Sequence, residues 1–188
     1  MMARRLFLLG FATALLTALG CSSGGDVSTT SPAFVCTDGG AAAANAVTMV
    51  CGGATAGTQQ VDVVIGGPAT LSGLSFNVMY DGSKLVYDTY DASAVSQLFP
   101  GALVSVVLST EPNSVPGYKD LVVSIQMTGG SALTGSAGQY VVLGLTFQRA
   151  SGTTFGPIPL AFNPLRTLEA TPATAGTAFS SSLMLSYQ

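Results

Sequence analysis

The sequence predicts an all-β fold, an antiparallel β-sandwich of about nine strands, and three observations predict it. Apolar residues recur with a period of two in one short run after another, and Gly, Pro, Ser or Asn separate the runs. Only Ala92 to Phe99 reads as a helical turn. The stretch from Ala46 to Gln188, about 140 residues, is long enough to bury one core in a single domain.

The strands follow in order. Val47 to Cys51 opens the series, and Val61, Val63 and Ile65 alternate in the second run. Over Ser72 to Tyr80, Leu74, Phe76, Val78 and Tyr80 point to one side while Ser75, Asn77 and Met79 point to the other. The turn signal Asp81-Gly82 leads into Leu85 to Tyr90. Val104, Val106 and Leu108 form the next inward set. After Pro116-Gly117 come Leu121, Val123, Ile125 and Met127, then Val141, Leu143, Leu145 and Phe147. Ile158, Leu160 and Phe162, then Leu183, Leu185 and Tyr187, close the series. Alternation assigns each side chain to a face, but it does not say which strands are neighbours.

Ahead of the domain, Arg4 and Arg5 precede the 14 apolar or small residues Leu6 to Leu19. That run is short of the ~20 residues a membrane span needs, so residues 1–20 read as a cleaved signal peptide. Ala18-Leu19-Gly20-Cys21 resembles the bacterial lipobox, in relaxed form because the usual Leu position holds Ala18. The resemblance implies a lipoprotein whose Cys21 thiol carries fatty acyl chains such as palmitate; the alternative is ordinary cleavage nearby. Ser22 after that Cys resembles the sorting residue of outer-membrane lipoproteins, which places the protein in a bacterial cell envelope, lipid-anchored at the outer membrane. Residues 21–45 then read as the lipidated Cys and a flexible tether, with Ser22 to Ser31 small and polar, and residues 46–188 as the sandwich.

Assigning Cys21 to lipid leaves Cys36 and Cys51 as an even pair in a compartment that permits disulfides, so they are expected to bond to each other. The alternative is two free thiols or a metal pair. With no His and no third available Cys, the chain lacks the donors of a zinc site. Without the leader, four basic residues stand against nine acidic ones, a net charge of −5. A chain of that charge with no basic patch has no electrostatic drive toward nucleic acid.

Four segments carry a family resemblance. Gly73-Leu-Ser-Phe-Asn-Val-Met-Tyr-Asp-Gly-Ser-Lys-Leu-Val-Tyr87 resembles the cohesin signature, a strand ending in Tyr-Asp-Pro, a short turn and a Leu-Glu-Val-like strand. Gly57 to Ile65 is similar to the family's first Gly-Asp-x-Val-x-Val-Pro-Val strand, Asp120 to Met127 to its central apolar strand, and Gly138 to Phe147 to its Gly-x-Leu-x-x-Ile-x-Phe strand. The resemblance implies a nine-stranded jelly-roll sandwich without an active site, which binds dockerin modules of polysaccharide-degrading complexes through one flat sheet face. Carried over by position, that face presents Gly73, Ser75, Asn77, Ser124 and Gln126, with Ser75, Asn77, Ser124 and Gln126 as the expected partner contacts. Two departures stand out: type I cohesins place an Asn and an Asp where this chain has Gly73 and Ser75, and Gly82 replaces the Pro after Tyr-Asp. Carbohydrate-binding modules share the architecture and stay open as a reading.

Taken without the family, Ser75, Asn77, Ser124, Gln126, Thr146 and Gln148 form an outward set of neutral hydrogen-bonding groups, in a chain with only 8% charged residues. They either meet a partner's polar groups or are simply solvated. A polysaccharide would stack on exposed rings; Trp is absent, and Tyr87, Tyr90, Tyr118 and Tyr140 are the candidates, unless they are half-buried at strand ends. Asp81, Asp88 and Asp91 match no calcium-loop spacing and read as turn and solubilising residues, so no metal and no cofactor is expected. Catalysis is argued against by the absence of His, by Lys84 and Lys119 lying outside any Ser-x-x-Lys motif, and by Glu111 and Glu169 lying in turn-like segments. The expected function is that of a non-catalytic, lipid-anchored module that presents a sheet face to a dockerin-like protein or a polysaccharide. The alternative is a structural or adhesive envelope lipoprotein.

Overall fold

The alternating runs become strands in a computed structural model that describes residues 32–55, 57–98, 100–126, 133–152, 154–166, 169–171 and 178–188. All belong to one unit, Ser31–Gln188. The strands are β1 (Phe34–Thr37), β2 (Ala46–Ala54), β3 (Thr58–Leu71), β4 (Gly73–Asp81), β5 (Leu85–Asp91), β6 (Leu103–Leu108), β7 (Tyr118–Gln126), β8 (Leu133–Arg149), β9 (Phe155–Phe162), β10 (Glu169–Thr171), β11 (Ala178–Ser180) and β12 (Leu183–Tyr187). One helix, α1 (Ser93–Leu98), falls inside the segment expected to make a helical turn. The Asp91 carboxylate caps it, accepting from the Ser93 backbone N–H at 2.8 Å.

These are twelve strands among the described residues where about nine were expected. The three additions are β1, β10 and β11, of four, three and three residues. They are held by pairing with longer strands rather than by any pattern of their own. β1 also lies within residues 21–45, the expected tether, so the sandwich starts before Ala46. Phe34 explains why: it is buried, and its ring stacks edge-on with Tyr187 at 4.9 Å.

The seven-stranded sheet runs β1-β12-β9-β4-β7-β6, with β10 also pairing to β4, and the five-stranded sheet runs β11-β2-β3-β8-β5. Every pairing is antiparallel except that of β11 with β2. The chain crosses repeatedly from one sheet to the other, the jelly-roll manner of winding. Between the sheets lie the inward sets read from the sequence: Val61, Val63 and Ile65; Leu74, Phe76, Val78 and Tyr80; Leu121, Val123 and Ile125; Leu143, Leu145 and Phe147. Tyr80 of one sheet meets Phe147 of the other edge-on at 5.3 Å.

Two inward assignments are corrected. A bulge in the β3–β8 ladder pairs Val63 with Leu143 and Val64 with Val141, so Val142, not Val141, enters the core. Leu108, the last residue of edge strand β6, is 42% exposed. Met127, Cys21 and the rest of residues 1–31 lie outside the described residues.

Cys36 and Cys51 are disulfide-bonded, with Cα atoms 5.8 Å apart. The bond joins β1 of the seven-stranded sheet to β2 of the five-stranded sheet.

Candidate functional site

Pairing builds one continuous outer face on β4, β7 and β6. Gly73 lies beside Gln126 and Gln126 beside Leu103; Ser75 lies beside Ser124 and Ser124 beside Ser105; Asn77 lies beside Val122 and Val122 beside Val107. Three serines thus form one cross-strand row, flanked on either side by apolar residues that face water. Leu103 is 62% and Val107 58% exposed, and Val122 is exposed as well. Large aliphatic side chains on a solvent face gain nothing in the free protein, since their burial would be worth about 25 cal/mol per Å².

Beside this row runs an open groove of about 480 Å³, lined by Ser75, Asn77, Val107, Leu108, Ser109, Thr110, Glu111, Val122 and Arg166. Two of its lining residues, Glu111 and Arg166, belong to a polar network. Asp120, on β7 and only 2% exposed, accepts from the Asn163 side-chain amide through both carboxylate oxygens. The Arg166 Nε lies 3.8 Å from Asp120 Oδ2, and its guanidinium donates to Glu111 Oε2 at 2.6 Å. A buried carboxylate is tolerated only when paired and hydrogen-bonded, and this one is both. The Asn163 backbone N–H donates to the Asn77 carbonyl at 2.9 Å, and Asn163 Oδ1 accepts from the Leu165 N–H at 3.0 Å. The turn 163–166 is therefore fastened to both central strands and holds Arg166 at the groove's rim.

Of the expected contact residues, Ser75 and Asn77 line the groove, Ser124 sits in the serine row, and Gln126 lies one row further along beside Leu103. Asn77 is only 8% exposed, so it forms groove wall rather than free surface. Sequence reasoning missed Leu103 and Val107, and it missed Asp120, Asn163, Arg166 and Glu111.

Two comparisons with solved structures bear on this arrangement. CaCohA2 from Clostridium acetobutylicum, a cohesin solved in solution, superposes with a TM-score of 0.52 at 18% identity, over 73% of this chain and 88% of that one. CaCohA2 in complex with a CaDoc0917 variant gives 0.51 at 20% identity, over 72% of this chain and 95% of that one. The domain has a cohesin-like fold. The sixth cohesin from scaffoldin B of Acetivibrio cellulolyticus, in complex with a Cel5 dockerin, gives 0.49 at 16% identity, over 73% and 94%. No family model matches the chain, and no curated protein does.

The cohesin-like domain separates residues that the sequence had grouped. Thr146 and Gln148 are on β8, in the five-stranded sheet, and do not share a face with Ser75 and Ser124. The tyrosines are divided too: Tyr118 is on β7, whereas Tyr87 and Tyr90 are on β5 and Tyr140 is on β8. Tyr87 packs edge-on against Phe147 at 6.2 Å, and burial, reinforced by Tyr90, Asp88 and Tyr80, pushes its hydroxyl up to about 12. No flat platform of four rings exists. Asp81 accepts from the Ser83 N–H and hydroxyl at 2.8 and 2.6 Å, which is the work of a turn residue. Asp91 is held below the usual carboxylate range by its bond from the Ser93 backbone. Among the described residues no three Cys, Asp or Glu side chains converge as metal ligands would.

Proposed function

We propose that the cohesin-like domain is a non-catalytic protein-binding module, and that the outer face of β4, β7 and β6 docks a dockerin-like partner. The observation that carries this reading is the set of exposed aliphatic side chains Leu103, Val107 and Val122 on either side of the serine row, with Asn77 and Gln126 in the same rows and a groove alongside. Exposed aliphatic side chains interleaved with neutral hydrogen-bonding groups and free of charge are what the buried part of a protein interface is made of. The complex of CaCohA2 with CaDoc0917 supports a partner of this class. A chain without His, whose groove carboxylate Glu111 is tied to Arg166, offers little to acid–base chemistry. In the same proposal Cys21 carries the lipid that anchors the protein in the bacterial envelope, at the outer membrane.

The test is a pull-down from an extract of the source organism with the purified chain as bait, with and without calcium, followed by mass spectrometry. Capture of a protein with paired calcium loops, lost on chelation, supports the reading. Recovery of polysaccharide alone would replace it with sugar binding, and recovery of nothing with a structural or adhesive envelope role. Metabolic labelling with an acyl probe, abolished by Cys21→Ala, tests the anchor.

A further inference from the structure

We infer that the free edge of β6 pairs with the β6 of a second copy, antiparallel about a two-fold axis through Ser105. Five strands among the described residues are paired on one side only: β1, β6 and β10 in one sheet, β11 and β5 in the other. An exposed edge offers unpaired N–H and C=O groups to any extended chain, and proteins guard such edges by shortness, charge or irregularity. Four of the five are guarded. β1 has four residues and β10 and β11 three each, while β5 carries Asp88 and Asp91 and a bulge between Tyr87 and Thr89. β6 has six residues in unbroken register with β7, and no charge, Pro or Gly.

The sequence of this edge fits a second copy of itself. Folded back on itself about Ser105, Leu103 faces Val107, Val104 faces Val106 and Ser105 faces Ser105. Every pair keeps outer residues with outer and inner with inner, as antiparallel pairing requires. The exposed Leu103 and Val107 of each copy then cover one another, and no like charges meet in a chain whose net charge is −3. The interface is self-complementary, as a two-fold contact must be. It is also small: six residues span about 20 Å, so the contact falls short of the ~1,600 Å² of a standard interface. The association is therefore weak and concentration-dependent. Its product is one extended sheet with two docking faces on the same side.

The experiment uses the full chain in a Cys21→Ser background. Across the axis the two Ser105 Cα atoms lie about 4.5–5.5 Å apart, within disulfide range. Ser105→Cys is expected to form a covalent dimer on mild oxidation, and Leu103→Cys is not, because its copies lie about 13 Å apart in this register. Leu103→Cys with Val107→Cys restores the cross-link. The chain with native Ser105 should show a concentration-dependent rise in sedimentation coefficient, which Ser105→Lys abolishes by opposing two cations. A monomer at every concentration, a thiol in the Ser105→Cys variant that stays free, or cross-linking of Leu103→Cys as fast as Ser105→Cys would overturn the inference. No docking partner is needed, so failure here leaves the proposed function untouched.

Discussion

The Asn163 amide holds Asp120 through both carboxylate oxygens, at 3.1 and 3.0 Å, across 43 residues of sequence. Asp120 is the buried charge on which the turn 163–166 rests. Asn163→Ala removes both hydrogen bonds from that carboxylate, leaving the 3.8 Å Arg166 contact among the described residues, and is expected to cost about 3 kcal/mol of stability. Urea denaturation measures it. The variant Asp120→Asn, which removes the charge as well as the pairing, should cost less. An equal or larger loss would mean that the charge itself is not what the turn is there to satisfy.

Breaking Cys36–Cys51 by a double Cys→Ala change should lower stability by about 3 kcal/mol, since the bond closes a loop with a sequence separation of 15. Thermal melting of the oxidised and substituted chains reads this directly.

Docking should depend on one sheet face. Val107→Asp and Leu103→Asp are expected to leave the melting temperature within a few degrees, because both side chains are exposed. Each should weaken partner capture at least ~10-fold, the equivalent of about 1.4 kcal/mol. Thr146→Lys and Gln148→Lys, on the opposite sheet, should leave capture unchanged. If they reduce it as much, the docking face is on the wrong sheet.

The Tyr87 phenol, pushed up to about 12 from an ordinary 10.0 chiefly by burial, holds its proton more tightly folded than unfolded. Its contribution to stability is therefore complete below about pH 10 and is lost as pH rises toward about 12. Burial raises the Tyr80 phenol as well, so ultraviolet titration of the tyrosines should show late ionisation from Tyr80 and Tyr87, and Tyr87→Phe should remove the Tyr87 part of it. A wild-type curve superposable on that of the variant would contradict this.

The core was legible in the sequence because period-two alternation is a local property, and Leu74 to Tyr80 or Leu121 to Ile125 carry it without interruption. Alternation fails where a strand is too short to repeat, as in β10 and β11, and where a bulge shifts the phase, as at Val142. Half of the candidate site was legible for the same reason: parity alone sends Ser75, Asn77 and Ser124 outward. Parity does not say which sheet a residue joins, so Thr146 and Gln148 were grouped with them wrongly. Leu103 and Val107 were hidden because an apolar edge strand reads like a buried one. The network of Asp120, Asn163, Arg166 and Glu111 depends on contacts between residues up to 55 apart, which no local pattern encodes.

The bond between Cys36 and Cys51 also decides how the domain bears load. Tension entering the chain ahead of Phe34 passes along β1 to Cys36 and from there, through covalent bonds alone, into β2 of the opposite sheet. The segment between the two cysteines is bypassed and cannot be drawn out, however hard the chain is pulled. A tug that would otherwise peel β1 from β12 is shared by both layers of the sandwich, so the domain resists fraying at the end where its chain enters.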